Sequence, residues 1–185
     1  NLMSFNDYLN NAWSIHAADP KKVANEFKSN FNLMNSDDDV MAISRLIVHV
    51  CGEHLGNWQQ GIELLRKLKN NAPIKDKNEM NHLMAILDLG NNPNISIDKF
   101  SQSDKTIIYS STAAALASLG GLKNAAILYH KACEINIAEI NAEDPANRAL
   151  AIASNSIACK LEDKKERTQK ETELMITAAT MARKY

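Results

Sequence analysis

The stretch HLGNWQQG, residues 54–61, contains a Leu-Gly pair that returns twice later in the chain. The glycines of the three pairs, Gly56, Gly90 and Gly120, follow one another at steps of 34 and 30 residues. A glycine after an apolar-periodic run commonly ends a helix, because glycine adopts the left-handed backbone conformation without a steric penalty. The spacing therefore predicts a two-helix unit that recurs along the chain, with each pair at the end of a first helix.

The composition favours long helices over a sheet with many turns. Glycine and proline number only six and four among 185 residues, while 45% of the residues are hydrophobic and only 5% are aromatic. Scarce chain breakers and an apolar content rich in alanine, leucine and isoleucine are typical of helical proteins. We therefore expect an all-α chain of about nine helices, most of them in antiparallel pairs.

Short polar motifs predict where several helices begin. Ser4 begins the first helix, and an aspartate precedes a proline at Asp19-Pro20 and again at Asp144-Pro145. Serine and aspartate cap helix N-termini well, and proline is tolerated at the first helical position because its missing N–H has no partner there. The acidic run 37–39 suits the positive end of a third helix, which is expected to continue to Gly56.

Other stretches interrupt the helical pattern. Ala72-Pro73 is expected to end one helix and Asp76 to begin another. Residues 91–102 are poor in apolar side chains and predict a loop, after which Ser103 restarts a helix. Residues 162–173, EDKKERTQKETE, mix both charges and predict a solvated connection, with a docking surface as the alternative.

The stretch LASLGGLKNAAILYHKACEI, residues 116–135, resembles the tetratricopeptide repeat, a helix-turn-helix unit. The family has a small residue at the turn, followed at set positions by a small residue, an aromatic residue and alanine. Gly120, Ala125, Tyr129 and Ala132 occupy these positions here. The unit around Gly56 matches less well, and both units lack the tryptophan that the family has early in its first helix.

The resemblance implies an architecture for the whole chain. Helix pairs would stack as a right-handed α-solenoid over residues 4–185, in a single domain that can be the N-terminal part of a longer protein. It also implies a concave inner face, made by the first helix of each pair, that binds a peptide or a partner protein. The candidate partner-binding residues on this face are Glu53, His54, Ser110, Arg148 and Asn155.

The candidate inner face has a structural alternative. Asn147 and Arg148 can instead serve the start of their helix, and Asn155 can bond to a neighbouring helix, because buried amides usually have internal partners. Arg148 otherwise offers a fork for a carboxylate, and Asn155 offers a donor and an acceptor together.

The segment HVCGEH, residues 49–54, holds four side chains of types that bind metals. In an α-helix His49 and Glu53 share one face, while Cys51 and His54 lie on another. Two ligands on each face do not complete a tetrahedral site, so no metal site is predicted. His16, His82 and His130 have no acid or nucleophile at an informative spacing, and no catalytic residue and no cofactor are predicted.

Charge and cysteine content limit the partners. The net charge is −1 and no basic block is present, so nucleic acid is not expected as a partner. No apolar run approaches the length of a membrane span. The three cysteines are odd in number and widely spaced, which predicts free thiols in a reducing compartment. A cytoplasmic protein, of bacterial origin by its general composition, is expected.

These patterns together predict a non-enzymatic scaffold that binds a protein or peptide. Self-association is a further expectation, because the apolar periodicity continues to Tyr185 without a cap. The first alternative is a sensory or regulatory domain that binds a signalling peptide or a small molecule. The others are a metal-dependent enzyme that uses residues 49–54 and a purely structural subunit.

Overall fold

The computed structural model describes residues 2–71, 77–139 and 141–184, and all regular structure in these ranges is helical. The predicted all-α class is therefore confirmed. The α-helices are α1 Phe5–Ile15, α2 Pro20–Glu26, α3 Asp37–Ile47, α4 Trp58–Asn71, α5 Lys77–Asn91, α6 Gln102–Ser118, α7 Leu122–Glu139, α8 Pro145–Glu162 and α9 Gln169–Lys184. A 3₁₀ segment spans Lys28–Leu33 and a π-helix spans Val48–His54. Within the described ranges, no helix combines the length and the apolar character needed to cross a bilayer.

The chain divides into two compact units, Asn1–Asn91 and Asn92–Tyr185. The breakpoint falls at the start of the predicted loop over residues 91–102, which contains turns up to Ser101. The single domain over residues 4–185 stays an expectation that comes from the resemblance. The predicted breaks at Ala72-Pro73 and Asp76 lie outside the described residues.

Helix starts follow the local capping chemistry. The side chains of Ser4 and Asp19 each accept a hydrogen bond from the backbone N–H three residues later, both at 3.1 Å. Ser36 does the same at 3.2 Å, and Asp144 accepts from the N–H of Ala146 at 2.9 Å. Each such cap contributes about 1 kcal/mol because it satisfies a backbone donor that has no partner inside the helix.

Two helix starts differ from the expected positions. Ser101, and not Ser103, caps α6 by accepting from the N–H of Asp104. The charged run 162–173 is not all connection, because α9 already begins at Gln169. Thr168 accepts from the N–H of Glu171, whose carboxylate accepts in return from the N–H of Thr168, which is a capping box.

The core of the first unit packs α4 and α5 against each other and against the π-helix. Its fully buried side chains are large and apolar: Phe27, Ile43, Leu46, Ile47, Leu65, Met80, Leu87 and Leu89. The Trp58 indole lies between two glycines. A Cβ atom at Gly52 would lie 2.6 Å from this ring, and one at Gly90 would lie 2.3 Å from it.

Gly90 lies one residue before the end of α5, close to the expected helix end, but it does not form the left-handed repeat turn that was expected there. Helix α5 continues through Gly90 to Asn91. Among the described glycines, positive φ occurs at Gly56, at 60°, and at Gly120, at 84°. Gly56 and Gly120 therefore confirm the predicted left-handed turns. At Gly90, the Trp58 ring occupies the space that a Cβ would need.

In the second unit, α6 packs against both α7 and α8, and α8 packs against α9. Ala125, Tyr129 and Ala132 are fully buried on α7, as expected for positions that face a neighbouring helix. The hydroxyl of Tyr129 lies 2.6 Å from the hydroxyl of Ser154, so a buried hydrogen bond joins α7 to α8. This bond satisfies two polar groups that would otherwise be costly to bury.

We predict that Gly90→Ala destabilises the first unit by about 1–3 kcal/mol. Alanine is the better helix former by about 1 kcal/mol, but its Cβ would displace an indole held between two backbones. Urea unfolding followed by tryptophan fluorescence measures this change, because Trp13 and Trp58 both lie in this unit. A Gly90→Ala chain that unfolds at a higher urea concentration than the parent would contradict the packing role.

Gly120→Ala serves as the contrasting variant. No atom lies within 4 Å of the position where its Cβ would stand, so only the positive φ opposes the substitution. The expected cost is about 1 kcal/mol, and its measurement needs circular dichroism because the second unit has no tryptophan.

Candidate metal centre

Three histidines from distant parts of the sequence converge in the first unit. His16 ends α1, whereas His49 and His54 belong to the π-helix. The Nε2 atom of His49 lies 3.2 Å from Nε2 of His16 and 3.1 Å from Nε2 of His54. The nitrogens that the three rings offer all lie within 4.8 Å of one another, so the cluster has a common centre.

The π-helix brings His49 and His54 to one side. In an α-helix, residues five positions apart point about 140° away from each other. Here the backbone widens, and the N–H of Leu55 donates to the carbonyl of Val50 five residues earlier, at 3.0 Å. The expectation that His49 and His54 lie on different faces is therefore wrong, and the prediction of no metal site loses its geometric basis.

Hydrogen bonds to the outer nitrogens orient two of the rings. Nδ1 of His49 lies 2.7 Å from Oε2 of Glu53, and Nδ1 of His16 lies at hydrogen-bond distance from the carbonyl oxygen of Trp13. Carbonyl and carboxylate oxygens only accept hydrogen bonds, so each Nδ1 donates its proton. When either ring is neutral, this hydrogen bond leaves the lone pair on Nε2.

These lone pairs need a positive charge between them. Nε2 of His16 and Nε2 of His49 face each other at 3.2 Å. Two acceptors at this distance repel each other unless one ring gains a proton or a cation lies between them. A metal ion bound at the centre would accept a lone pair from each of the three nitrogens.

The dimensions suit a first-row transition metal. Zn²⁺ lies about 2.0–2.1 Å from a histidine nitrogen, and two such ligands in a tetrahedral site are about 3.3 Å apart. The two separations from His49, 3.1 and 3.2 Å, are close to this value, and the ligand atoms of all three rings lie within 4.8 Å of one another. Imidazole is a ligand that zinc, copper, nickel and cobalt all accept.

The ionisation states also suit metal binding. The hydrogen bond from His49, together with the nearby histidines, lowers the pKa of Glu53, which keeps the carboxylate charged. Burial and the neighbouring His49 and His16 lower the pKa of His54, which favours the neutral imidazole. A charged carboxylate behind a neutral histidine is the arrangement by which proteins raise the basicity of a metal ligand.

Solvent reaches the cluster, and one aromatic ring flanks it. All three histidines are half-buried, and the Trp13 side chain is 40% exposed. The Trp13 ring centroid lies 5.1 Å from that of His16 and 5.4 Å from that of His49. Trp13 therefore borders the histidine cluster.

The candidate partner-binding residues lie in different settings. Glu53 and His54, in the first unit, belong to the histidine cluster or bond to it. In the second unit, Arg148 and Asn155 are exposed on α8, seven residues apart and so on the same side of the helix. Ser110 is 0% exposed within α6, so its hydroxyl is closed to a partner.

The structural alternative for this face holds for Asn147. Asn147 is buried, and its Nδ2 donates to the carbonyls of Asn141 and Ala142 just before α8. Oδ1 of Asn155 accepts a long contact from the Cys159 thiol on the same helix, at 3.9 Å.

A cavity of about 810 Å³ lies beside α7 and α9 in the second unit. Its apolar lining includes Ile127 and Leu174, and Lys123, Lys164 and Lys170 also line it. The sequence patterns did not indicate this cavity, because it is bordered by α7 and α9, more than 30 residues apart in the chain.

His16 is the site residue that the sequence analysis missed. It lies 33 residues before His49, and no motif links two histidines at that separation. The sequence did contain one signal, the two histidines within residues 49–54, which indicated the right segment. That these two side chains lie on the same side could not be predicted without the wider register of the π-helix.

The cysteines take no part in the cluster, and their reactivity should reflect this. Burial raises the pKa of the Cys51 thiol to about 12 and also raises that of Cys133, whereas Cys159 is exposed. At pH 8, roughly one in ten thousand thiol groups with the pKa of Cys51 is ionised, and the thiolate is the reactive form. We therefore predict that a disulfide reagent labels one thiol per native chain quickly, and all three in denaturant.

Cys159→Ser should remove the fast phase of this labelling, and Cys51→Ser should leave it unchanged. The opposite pattern in the absorbance of the released thiolate would show that the first unit opens readily around Cys51.

No family model, curated protein or solved structure matches the chain. The tetratricopeptide resemblance thus stays a prediction, and the functional argument depends on the chemistry of the described side chains.

Proposed function

We propose that the chain binds one divalent transition-metal ion through Nε2 of His16, His49 and His54. The observation that supports this function best is the convergence of three imidazole nitrogens, with separations of 3.1 and 3.2 Å from His49 to the other two. The acceptors behind His16 and His49 strengthen the proposal, because they direct the lone pair of each ring to the common centre.

Metal binding would also connect parts of the first unit that are distant in sequence. His16 ends α1, and His49 and His54 come from the π-helix. A bound ion would bridge these two segments, and its binding free energy would add to the stability of this unit. The metal would thus serve stability as well as any chemistry at the site.

We predict that the tag-free chain, dialysed against excess Zn²⁺ and then against buffer, retains close to one equivalent. His54→Ala removes a ligand and should reduce retention to the background level. His130→Ala is the matched control, because His130 is exposed on α7 in the other unit, and it should retain the full equivalent. Elemental analysis of the dialysed proteins measures the outcome.

Glu53→Gln tests the outer hydrogen bond without removing a ligand. The amide can still accept from His49 but lacks the charge, so the metal affinity should fall about 10–100-fold in calorimetric titration. Equal retention by the parent and by His54→Ala would refute the metal site. An unchanged metal affinity in Glu53→Gln would show that the Glu53 carboxylate does not contribute to the metal site.

We propose binding of a protein or peptide as the second candidate function, and the exposed side of α8 favours it. Ile152 is 56% exposed on this side, between Arg148 and Asn155. A peptide with a carboxylate for the Arg148 guanidinium and an apolar side chain for Ile152 would fit, with its backbone bonded to the Asn155 amide. The contacts of α6 with α7 and α8 are compatible with stacked helix pairs, and we retain the α-solenoid and the cytoplasmic location as proposals.

We predict that Arg148→Glu abolishes capture of such a partner while leaving the helicity and the melting temperature nearly unchanged. The parent and the variant serve as paired baits in a lysate, and mass spectrometry identifies the proteins that only the parent retains. Ile127→Glu, which alters the cavity beside α7 and α9, is the control and should retain the same proteins. Identical captures on the parent and Arg148→Glu would remove α8 as the binding surface.

A further inference from the structure

We infer that the metal ion at the trihistidine centre has a coordination position open to solvent, at which water or a small monodentate anion binds. This inference rests on the proposed metal site and concerns how that site works. Structural zinc sites are closed by four protein ligands, whereas sites that act on external molecules keep three protein ligands and one exchangeable position. The trihistidine centre belongs to the second type for three reasons.

The first reason is the number of ligands. In the described part of the chain, the group of closely spaced metal-binding side chains at this place consists of His16, His49 and His54. Three imidazoles leave one position of a tetrahedral ion, or two of a five-coordinate ion, without a protein atom.

The second reason is that the nearest other candidates are directed elsewhere. Oε2 of Glu53 bonds to Nδ1 of His49, on the outer edge of the ring, whereas the metal would lie at Nε2. The Cys51 side chain is fully buried and faces the interior, where its Cβ would lie 3.3 Å from a Cβ built at Gly61. Neither residue belongs to the group of closely spaced ligand atoms formed by the three histidines.

The third reason is access. The three histidines are half-buried, so solvent reaches the centre, and the partly exposed Trp13 ring stands beside His16 and His49. Because the cluster is partly exposed, a coordination position on its solvent side would be within reach of a small ligand.

The charge of the centre determines the kind of ligand. Three neutral imidazoles leave the ion with both of its positive charges, and the Glu53 carboxylate offsets one of them from behind His49. A net positive charge at the ion favours anions over neutral molecules and cations as the additional ligand. We therefore assign the open position to water, hydroxide and small monodentate anions.

Sodium azide is the probe, and the Co²⁺ form of the full chain supplies the signal. The visible absorption of Co²⁺ depends on its ligands and coordination number, so an anion that binds to the ion changes the spectrum. We expect a saturable change that fits one azide per Co²⁺, with the metal still bound after gel filtration. Sodium perchlorate at equal ionic strength, which coordinates weakly, should cause no change.

The outcomes separate the two proposals. If Co²⁺ binds at one equivalent but azide leaves the spectrum unchanged, the site is closed, and the inference is overturned while the metal site stands. Dimerisation that depends on Co²⁺, combined with insensitivity to azide, would have the same meaning and would attribute the fourth ligand to a second copy. If Co²⁺ binds no better to the parent than to His54→Ala, the metal site itself fails and the inference fails with it.

Discussion

The wide backbone turn at Val48–His54 is the constraint on which the organisation of the first unit depends. Its i→i+5 register places His49 beside His54 and presents Gly52 to the Trp58 ring. The same ring occupies the space at Gly90, so one indole joins the π-helix, α4 and α5. π-turns are rare and occur frequently at functional sites, because their hydrogen bonding is favourable only when tertiary contacts support it.

The histidine cluster and the Trp58 contact have opposite effects on the stability of the first unit. The Trp58 contact buries a large apolar surface, which stabilises the unit and supports the irregular turn. The three histidines bring ring nitrogens together, and a cation between them would offset the repulsion between their lone pairs. This arrangement connects the fold of the first unit to its proposed chemistry.

Glycine shows why a recurring dipeptide is an incomplete guide to structure. Leu55-Gly56 and Leu119-Gly120 end in a positive φ, as a helix-terminating turn requires. Leu89-Gly90 has the same letters, but its glycine lies within α5 and admits an aromatic ring from α4. The dipeptide shows only that the residue lacks a Cβ. Whether this permits a left-handed turn or makes room for an aromatic ring depends on Trp58, which is distant in the sequence.

Local chemistry explains most of what could be predicted. The capping bonds at Ser4, Asp19, Ser36 and Asp144 join groups two or three residues apart, so the sequence contains all their partners. The capping box of Thr168 and Glu171 is equally local, and its Thr-x-x-Glu pattern was visible within a charged run that resembled a connection. The buried positions of Ala125, Tyr129 and Ala132 likewise followed from helical spacing.

The sequence by itself determined an all-α chain, most of its helix starts and two of its left-handed turns, because hydrogen bonds over a few residues set these features. Only the tertiary structure decided the candidate site. His16 meets His49 across 33 residues, and His54 joins them through a register that a period of about 3.6 residues cannot indicate. The approach of His16 to His49 and the position of His54 both depend on packing between α1, the π-helix and Trp58. These groups are far apart in the sequence, so no local pattern relates them.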